Sequence, residues 1–128
     1  MSSYSIKNLK ELDDSATQFG LSPNLEARFA RKALDGENAG LSYQRLAPSF
    51  RVPFGHKHEK QEEIYVVVGG SGRLKLDDEV VDVAQWDAIR VAPGTMRNWE
   101  AGPDGIELIA FGAGESGDAE MAQDWWSD

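Results

Sequence analysis

Residues 55–70 read GHKHEKQEEIYVVVGG, and this stretch indicates both the fold and the candidate site. It holds both histidines of the protein, His56 and His58, at a spacing of two. In a β-strand this spacing puts both side chains on one face, where they can converge on one ion. Glu63 follows after four intervening residues, on the next strand across a tight turn. Two imidazoles and a carboxylate suit iron, manganese, zinc, nickel or copper better than calcium or magnesium.

The sequence around this stretch has the pattern of a β-protein. Short runs of β-branched, aromatic and alternating residues recur at intervals of about ten and are separated by turn residues. Examples are LSYQRLA at 41–47, EEIYVVV at 62–68, EVVDV at 79–83 and IELIAFG at 106–112. The pattern predicts an antiparallel sandwich or barrel, because no helical stretch between the strands is long enough for the crossovers of a βαβ fold.

The 55–70 stretch resembles the first motif of the cupin family, which is His-x-His, three or four residues, Glu, six residues, Gly. Glu63 and Gly70 fit the longer gap, whereas Glu62 and Gly69 fit the shorter one. We prefer Glu63, because in the family's frequent wording EEIYYVLEGEG the second acid turns into the barrel. Phe50 stands where the motif opens with glycine.

Residues 86–101, WDAIRVAPGTMRNWEA, resemble the second cupin motif less closely. That motif is Gly, five residues, Pro-x-Gly, two residues, His, three residues, Asn. Gly94 is retained, but Trp86 and Ala92 replace the first glycine and the proline, and Ala101 replaces the asparagine. The departure that bears on chemistry is Arg97, which occupies the position of the third metal-binding histidine.

The resemblance covers roughly residues 39–112 and implies an all-β fold, the double-stranded β-helix or jelly-roll barrel of the cupins. We expect a partly helical N-terminal extension over residues 1–24, with a short helix over 7–17, and the barrel over residues 25–114. Residues 115–128 form an acidic tail that lacks strand patterning. Its two tryptophans, Trp125 and Trp126, predict that the tail packs on the barrel or on a partner subunit.

The resemblance also implies that His56, His58 and Glu63 hold a divalent transition metal. Arg97 cannot ligate a metal, and its charge opposes one unless a carboxylate or a bound anion compensates. Three arrangements stay open. Metal binds the three ligands and Arg97 orients an anionic substrate; or Arg97 pairs with Glu63 in a metal-free pocket for an anionic or neutral organic ligand; or Arg97 turns outward and the pocket is incomplete.

Strand parity adds candidate substrate-binding residues. Tyr65 shares the parity of Glu63, Phe54 that of the two histidines, and Trp99 that of Arg97. We expect Arg97, Tyr65, Phe54 and Trp99 to line the ligand pocket, with core packing as the alternative for Phe54 and Trp99.

That opposite face carries Ile64, Val66 and Val68. A strand that is apolar on both sides has to be covered on both sides. The pattern therefore predicts either a chain segment packed over the outer face or a homodimer formed by sheet packing.

Composition excludes several classes of function. Thirteen Lys and Arg against 22 Asp and Glu give a net charge of −9, which repels nucleic acid and anionic membranes, although acidity also simply promotes solubility. The absence of cysteine excludes disulfides and thiolate ligands and agrees with a reducing compartment. No signal peptide or membrane span is recognisable, so we expect a cytoplasmic protein.

Three functions stay open at the level of sequence. The first is a metal-dependent small-molecule oxygenase, isomerase or lyase that uses His56, His58 and Glu63. The second is a non-catalytic, metal-free protein that binds a metabolite, with Arg97 in place of the third histidine. The third is a structural protein with a relic pocket, since a fold does not fix a function.

Overall fold

The computed structural model describes residues 3–114 and 117–128, which form mainly antiparallel strands. In these residues the strands are β1 (Leu25–Phe29), β2 (Ala39–Leu46), β3 (Phe54–His58), β4 (Glu62–Leu76), β5 (Glu79–Ala84), β6 (Ala88–Val91), β7 (Arg97–Ala113) and β8 (Ala119–Gln123). All of them belong to one curled sheet, so the predicted all-β class is confirmed.

The long strand β7 organises this sheet. Its C-terminal half lies between β2 and β4, with Ile106 opposite Leu46 and Leu108 opposite Val67. These four side chains are at most 2% exposed and form the centre of the core. The first residue of β7, Arg97, lies opposite His56 of β3. The same strand therefore builds the core and reaches the histidines.

Glycines in β4 let the sheet bend between the core and the site. The pairing of β4 with β7 shifts register between Val67 and Gly69 and again between Gly70 and Gly72. Gly70 has φ +73°, and a Cβ added to it would lie 2.1 Å from the carbonyl oxygen of Gly105. No other residue type fits there without moving the backbone, and such bulges are how barrels turn corners. The glycine at the end of the first motif is thus required by the fold.

The N-terminal segment forms two short 3₁₀ helices, Leu9–Glu11 and Ser15–Phe19, where the sequence predicted one helix over residues 7–17. The side chain of Asn8 accepts a hydrogen bond from the backbone N–H of Lys10, and that of Asp14 accepts one from Ala16. Each of these caps starts its own turn, because Asn and Asp side chains compete locally with the backbone of a longer helix.

The C-terminal tail adds a strand to the sheet, so the expectation that it lacks strand structure is wrong. Strand β8 pairs with β3 and places Ala119 opposite His58. Further along, Trp126 is 7% exposed, and the guanidinium groups of Arg51 and Arg73 lie 4.3 and 5.2 Å from the centre of its ring. Cation–π contacts and burial of the indole therefore hold the tail on the barrel.

The outer face of β4 is covered only in part. Ile64 and its neighbour on β7, Phe111, are 41% and 47% exposed. The N-terminal segment covers another part of the sheet: Nζ of Lys10 lies over the ring of Tyr43 on β2, 5.0 Å from its centre. The homodimer through this face stays a prediction. No helix within the described residues is long and apolar enough to cross a membrane.

Candidate metal centre

Strands β3 and β4 bring His56, His58 and Glu63 together as the sequence spacing predicted. Oε1 of Glu63 lies 3.6 Å from Nε2 of His56 and 3.3 Å from Nε2 of His58. The two imidazole rings meet edge to face, with their centres 5.3 Å apart. One ligand atom from each of the three residues lies within 4.8 Å of the others. This group could hold a metal ion.

Two further side chains meet the same carboxylate oxygen. The hydroxyl of Tyr65 donates a hydrogen bond to Oε1 of Glu63 at 2.6 Å, and Nη1 of Arg97 lies 3.4 Å from this atom. Tyr65 follows Glu63 by two residues on β4, and Arg97 reaches the site from the start of β7. Oε1 of Glu63 is therefore the common neighbour of His56, His58, Tyr65 and Arg97.

Arg97 points into the barrel and is fully buried, at 0% exposure, so the arrangement in which it turns outward is wrong. Its Nη2 lies 3.4 Å from the carbonyl oxygen of Ala92, a long hydrogen bond. Nε and Nη1 of Arg97 have no hydrogen-bond partner among the described residues. A buried guanidinium with two donors that make no hydrogen bond is costly, and an anion placed beside it would relieve that cost.

Hydrogen bonding sets the charge state of this centre. Burial by itself would raise the pKa of the Glu63 carboxyl, but hydrogen bonds from His56, His58 and Tyr65 outweigh burial and hold that pKa well below its usual range. Burial raises the pKa of the Tyr65 hydroxyl well above 10. Glu63 is therefore an anion and Tyr65 a neutral donor at any physiological pH.

His58 lies between two carboxylates. Its Nε2 faces Glu63, and its Nδ1 lies 2.8 Å from Oδ1 of Asp118 in the tail. The Glu63 carboxylate raises the pKa of the His58 imidazole against the opposing effect of burial, and Asp118 adds to the rise. Asp118 was not predicted from the sequence. It lies sixty residues from His58, and nothing in the motif of residues 55–70 points to it.

Of the remaining predicted pocket residues, Trp99 contacts Tyr65 and Phe54 lies at the start of β3. Trp99 is 4% exposed, and its ring meets that of Tyr65 edge to face at 5.2 Å. Phe54 begins β3, is partly buried and pairs with Gln123 of β8. Trp99 thus belongs to the core wall behind Tyr65. Ligand contacts of Trp99 and Phe54 stay predictions.

The donor set fits a transition metal. Two imidazole nitrogens and one carboxylate oxygen are borderline ligands that iron, manganese, zinc, nickel and copper all accept. With a dication bound, Arg97 and the metal together exceed the single negative charge of Glu63. An additional anion would offset this charge, and Nε and Nη1 of Arg97 make no hydrogen bond to the described residues.

Comparison with known sequences gives a partial match. No protein-family model matches the sequence. An uncharacterized protein of Methanocaldococcus jannaschii is 39% identical over 62 residues, which is 44% of this chain and 49% of that protein. The match thus spans about half the length of this curated relative.

Solved structures match over nearly the whole chain. A cupin protein of Bacteroides fragilis has a TM-score of 0.73 at 23% identity, covering 91% of this chain and 89% of its own. Oxalate decarboxylase of Bacillus subtilis has a TM-score of 0.76 at 21% identity, covering 94% of this chain and 34% of its own. Streptomyces Pac13 with uridine has a TM-score of 0.71 at 15% identity, covering 92% and 90%. These likenesses show that the chain has the cupin fold, the double-stranded β-helix.

Proposed function

We propose that this protein holds a divalent transition metal on His56, His58 and Glu63 and acts on a small anionic molecule bound by Arg97. The observation that carries the proposal is the convergence of three ligand atoms within 4.8 Å beside a buried guanidinium that has two unpaired donors. A metal without an anion would leave this centre with excess positive charge. A carboxylate-bearing substrate would balance the charge and satisfy Arg97.

The protein's own residues have distinct parts in this proposal. A bound divalent metal supplies a Lewis acid or an oxygen-activating centre. Arg97 binds and orients the anionic group of the substrate from inside the barrel. Tyr65 stays protonated and donates to Glu63, so it fixes the orientation of the carboxylate rather than acting as a base.

Among the proposed reaction classes, lyase chemistry is the one to test first, followed by isomerase and oxygenase chemistry. Two proteins with similar folds are an oxalate decarboxylase and Pac13, which is described as a nucleoside dehydratase. Decarboxylation and dehydration both eliminate a small group from the substrate. That shared chemistry supports a screen of small carboxylic acids for loss of carbon dioxide or water.

The first test is metal content. We expect untagged protein purified without chelator to carry nearly one equivalent of iron, manganese, zinc, nickel or copper by inductively coupled plasma mass spectrometry. The double variant His56→Ala, His58→Ala should lose it. Lys57→Ala is the matched control, because Lys57 lies between the histidines and its Nζ pairs with Glu120 instead of the site. Wild-type protein that carries no metal and takes up none on incubation would overturn the proposal.

A metal-free metabolite-binding protein is the second candidate. It is favoured by one observation, the 3.4 Å separation between Nη1 of Arg97 and Oε1 of Glu63, which puts a permanent cation beside the central carboxylate. In this case Arg97 takes the place of the metal. Native mass spectrometry should then show a co-purifying organic ligand that is lost in Arg97→Met, while metal content stays near zero.

A further inference from the structure

Asp118 connects the C-terminal tail to the candidate metal centre. It directly precedes β8, and only 10% of its side chain is exposed. Its Oδ1 lies 2.8 Å from Nδ1 of His58. Its Oδ2 accepts hydrogen bonds from the backbone N–H groups of Lys60 at 2.8 Å and Gln61 at 3.0 Å. One carboxylate therefore binds both the imidazole and the turn between β3 and β4.

The chemistry of these contacts determines which nitrogen of His58 carries the proton. Oδ2 of Asp118 accepts two backbone N–H groups and its Oδ1 faces Nδ1 of His58, so both oxygens of this carboxylate act as hydrogen-bond acceptors. A short contact with this carboxylate requires a proton on Nδ1 of His58. When the imidazole is neutral, the lone pair is then on Nε2, the nitrogen that faces Glu63 and the centre of the site.

We infer that Asp118 is a positioning residue that fixes His58 in the Nδ1–H tautomer and so presents Nε2 as a ligand. The inference deepens the proposed function and rests on it in one respect, that Nε2 of His58 is a metal-binding atom. Carboxylates that accept the second N–H of a ligating histidine fix its ring and raise its basicity.

Glu63 is the competing acceptor for the His58 proton, and it lies at the longer distance. Its Oε1 is 3.3 Å from Nε2, whereas Asp118 is 2.8 Å from Nδ1. Oε1 of Glu63 also accepts the hydroxyl of Tyr65 at 2.6 Å. The shorter contact with Asp118 favours the proton on Nδ1, and so does the hydrogen bond that Glu63 already accepts from Tyr65.

The pairing of β8 with β3 places Asp118 at this position. Strand β8 pairs with β3 in register, so Ala119 lies opposite His58 and Asp118 comes level with the turn that follows. Trp126, whose ring contacts the guanidinium groups of Arg51 and Arg73, anchors the far end of the tail. The tail is therefore a part of the site and not only a cover for the barrel.

The variant Asp118→Asn separates positioning from structural support. The two backbone N–H groups of Lys60 and Gln61 need an acceptor, so the amide oxygen should turn toward them. The amide NH₂ then faces Nδ1 of His58 and donates to it, which forces the proton onto Nε2. Glu120→Gln is the matched control, because Glu120 is an exposed acid on the same tail and pairs with Lys57.

The tautomer is read directly by ¹H–¹⁵N correlation of the imidazoles in metal-free protein at about pH 9, where the presence of only two histidines makes assignment simple. We expect Nδ1–H for His58 in wild type and Glu120→Gln, and Nε2–H in Asp118→Asn. A proton on Nε2 in wild type would overturn the inference without any variant. The same tautomer in wild type and Asp118→Asn would also overturn it.

Zinc affinity gives the second readout, by calorimetric titration. Loss of an outer carboxylate of this kind weakens metal binding by roughly 10- to 100-fold. We expect a loss of that size in Asp118→Asn and a change of less than about twofold in Glu120→Gln. Affinity retained in Asp118→Asn would overturn the positioning role. If wild type binds no metal, the proposed function fails, and the tautomer alone decides the role of Asp118.

Discussion

At the scale of single residues, we expect Arg97 to limit how strongly this site binds a cation. It lies opposite His56 in the register between β3 and β7, so a histidine at position 97 would extend from the neighbouring strand toward the same space. The guanidinium of Arg97 instead places a permanent positive charge 3.4 Å from the Glu63 carboxylate, which is also one of the candidate metal ligands. At an effective dielectric constant near 20, like charges at such distances repel by several kcal/mol.

We therefore predict that Arg97→His strengthens zinc binding by at least about tenfold, because it removes this repulsion and adds an imidazole donor. Arg97→Met removes the charge without adding a ligand, so its gain should be smaller. The dissociation constants of the three proteins come from competition with a chromophoric chelator. Equal affinity in wild type and Arg97→His would contradict the role assigned to Arg97.

The ion pair between Glu63 and Arg97 also bears on stability. Neutralising Glu63 leaves a buried guanidinium without a carboxylate, and breaking a buried pair in this way costs about 3 kcal/mol. We predict this loss for Glu63→Gln by urea unfolding of metal-free protein. Adding Arg97→Met should recover most of it.

The control for this pair is Glu62→Gln, since the side chains of Glu62 and its partner Arg90 are 44% and 62% exposed. Exposed pairs contribute little, so its effect should stay within about 0.5 kcal/mol. If Glu63→Gln were as mild as Glu62→Gln, the pair would not stabilise the barrel.

At the scale of elements, two glycines with left-handed backbone have different environments. Gly70 has φ +73° and Gly94 has φ +83°, but a Cβ at Gly70 would lie 2.1 Å from the backbone of Gly105 whereas one at Gly94 would meet nothing within 4 Å. We predict that Gly94→Ala costs about 1 kcal/mol, the usual cost of a left-handed L-residue. Gly70→Ala should cost at least about 2 kcal/mol more.

Urea unfolding of both variants, followed by tryptophan fluorescence, measures the difference. Equal losses would mean that conformation alone makes glycine necessary at the β4 bulge. The expected inequality would mean that close approach of β4 to β7 is the reason.

Features of the site could be predicted from the sequence only where they are local. His56, His58 and Glu63 lie within eight consecutive positions, so strand parity and one turn bring them together. Arg97 was placed by the spacing of its motif, but its complete burial depends on how β7 packs. Asp118 and His58 meet through the pairing of β8 with β3, a contact across the sheet that no local pattern encodes.

In the N-terminal segment, a local pattern gave a prediction that the structure does not have. Its apolar spacing indicated one helix, but the caps at Asn8 and Asp14 divide it into two turns. Asp14 also accepts a hydrogen bond from the backbone N–H of Ala27 on β1 at 2.9 Å, so a tertiary contact fixes where the second turn begins. Periodicity alone does not contain that contact.

At the scale of the whole molecule, one buried acid joins the N-terminal segment to the sheet. Glu26 on β1 is 6% exposed and pairs with Lys10 at 2.5 Å, Arg28 at 2.6 Å and Arg45 at 3.1 Å. Burial would raise the pKa of Glu26, but these three cations lower it to about 2. Between pH 4.5 and 2 the unfolded state therefore binds a proton at Glu26 that the folded state does not.

This difference fixes the sign of the pH dependence. The cluster stabilises the folded state fully above pH 4.5, and its contribution is lost as the pH falls toward 2. We predict that Glu26→Gln lowers the free energy of unfolding by on the order of 2 kcal/mol at pH 7, and that this deficit relative to wild type shrinks toward zero near pH 2. Urea unfolding of both proteins from pH 7 to pH 2 measures it. Glu79→Gln, at an exposed position on β5, controls for the loss of one negative charge. A deficit that stays constant down to pH 2 would mean that Glu26 acts through packing, and that the N-terminal segment is held to the barrel by something other than this ion cluster.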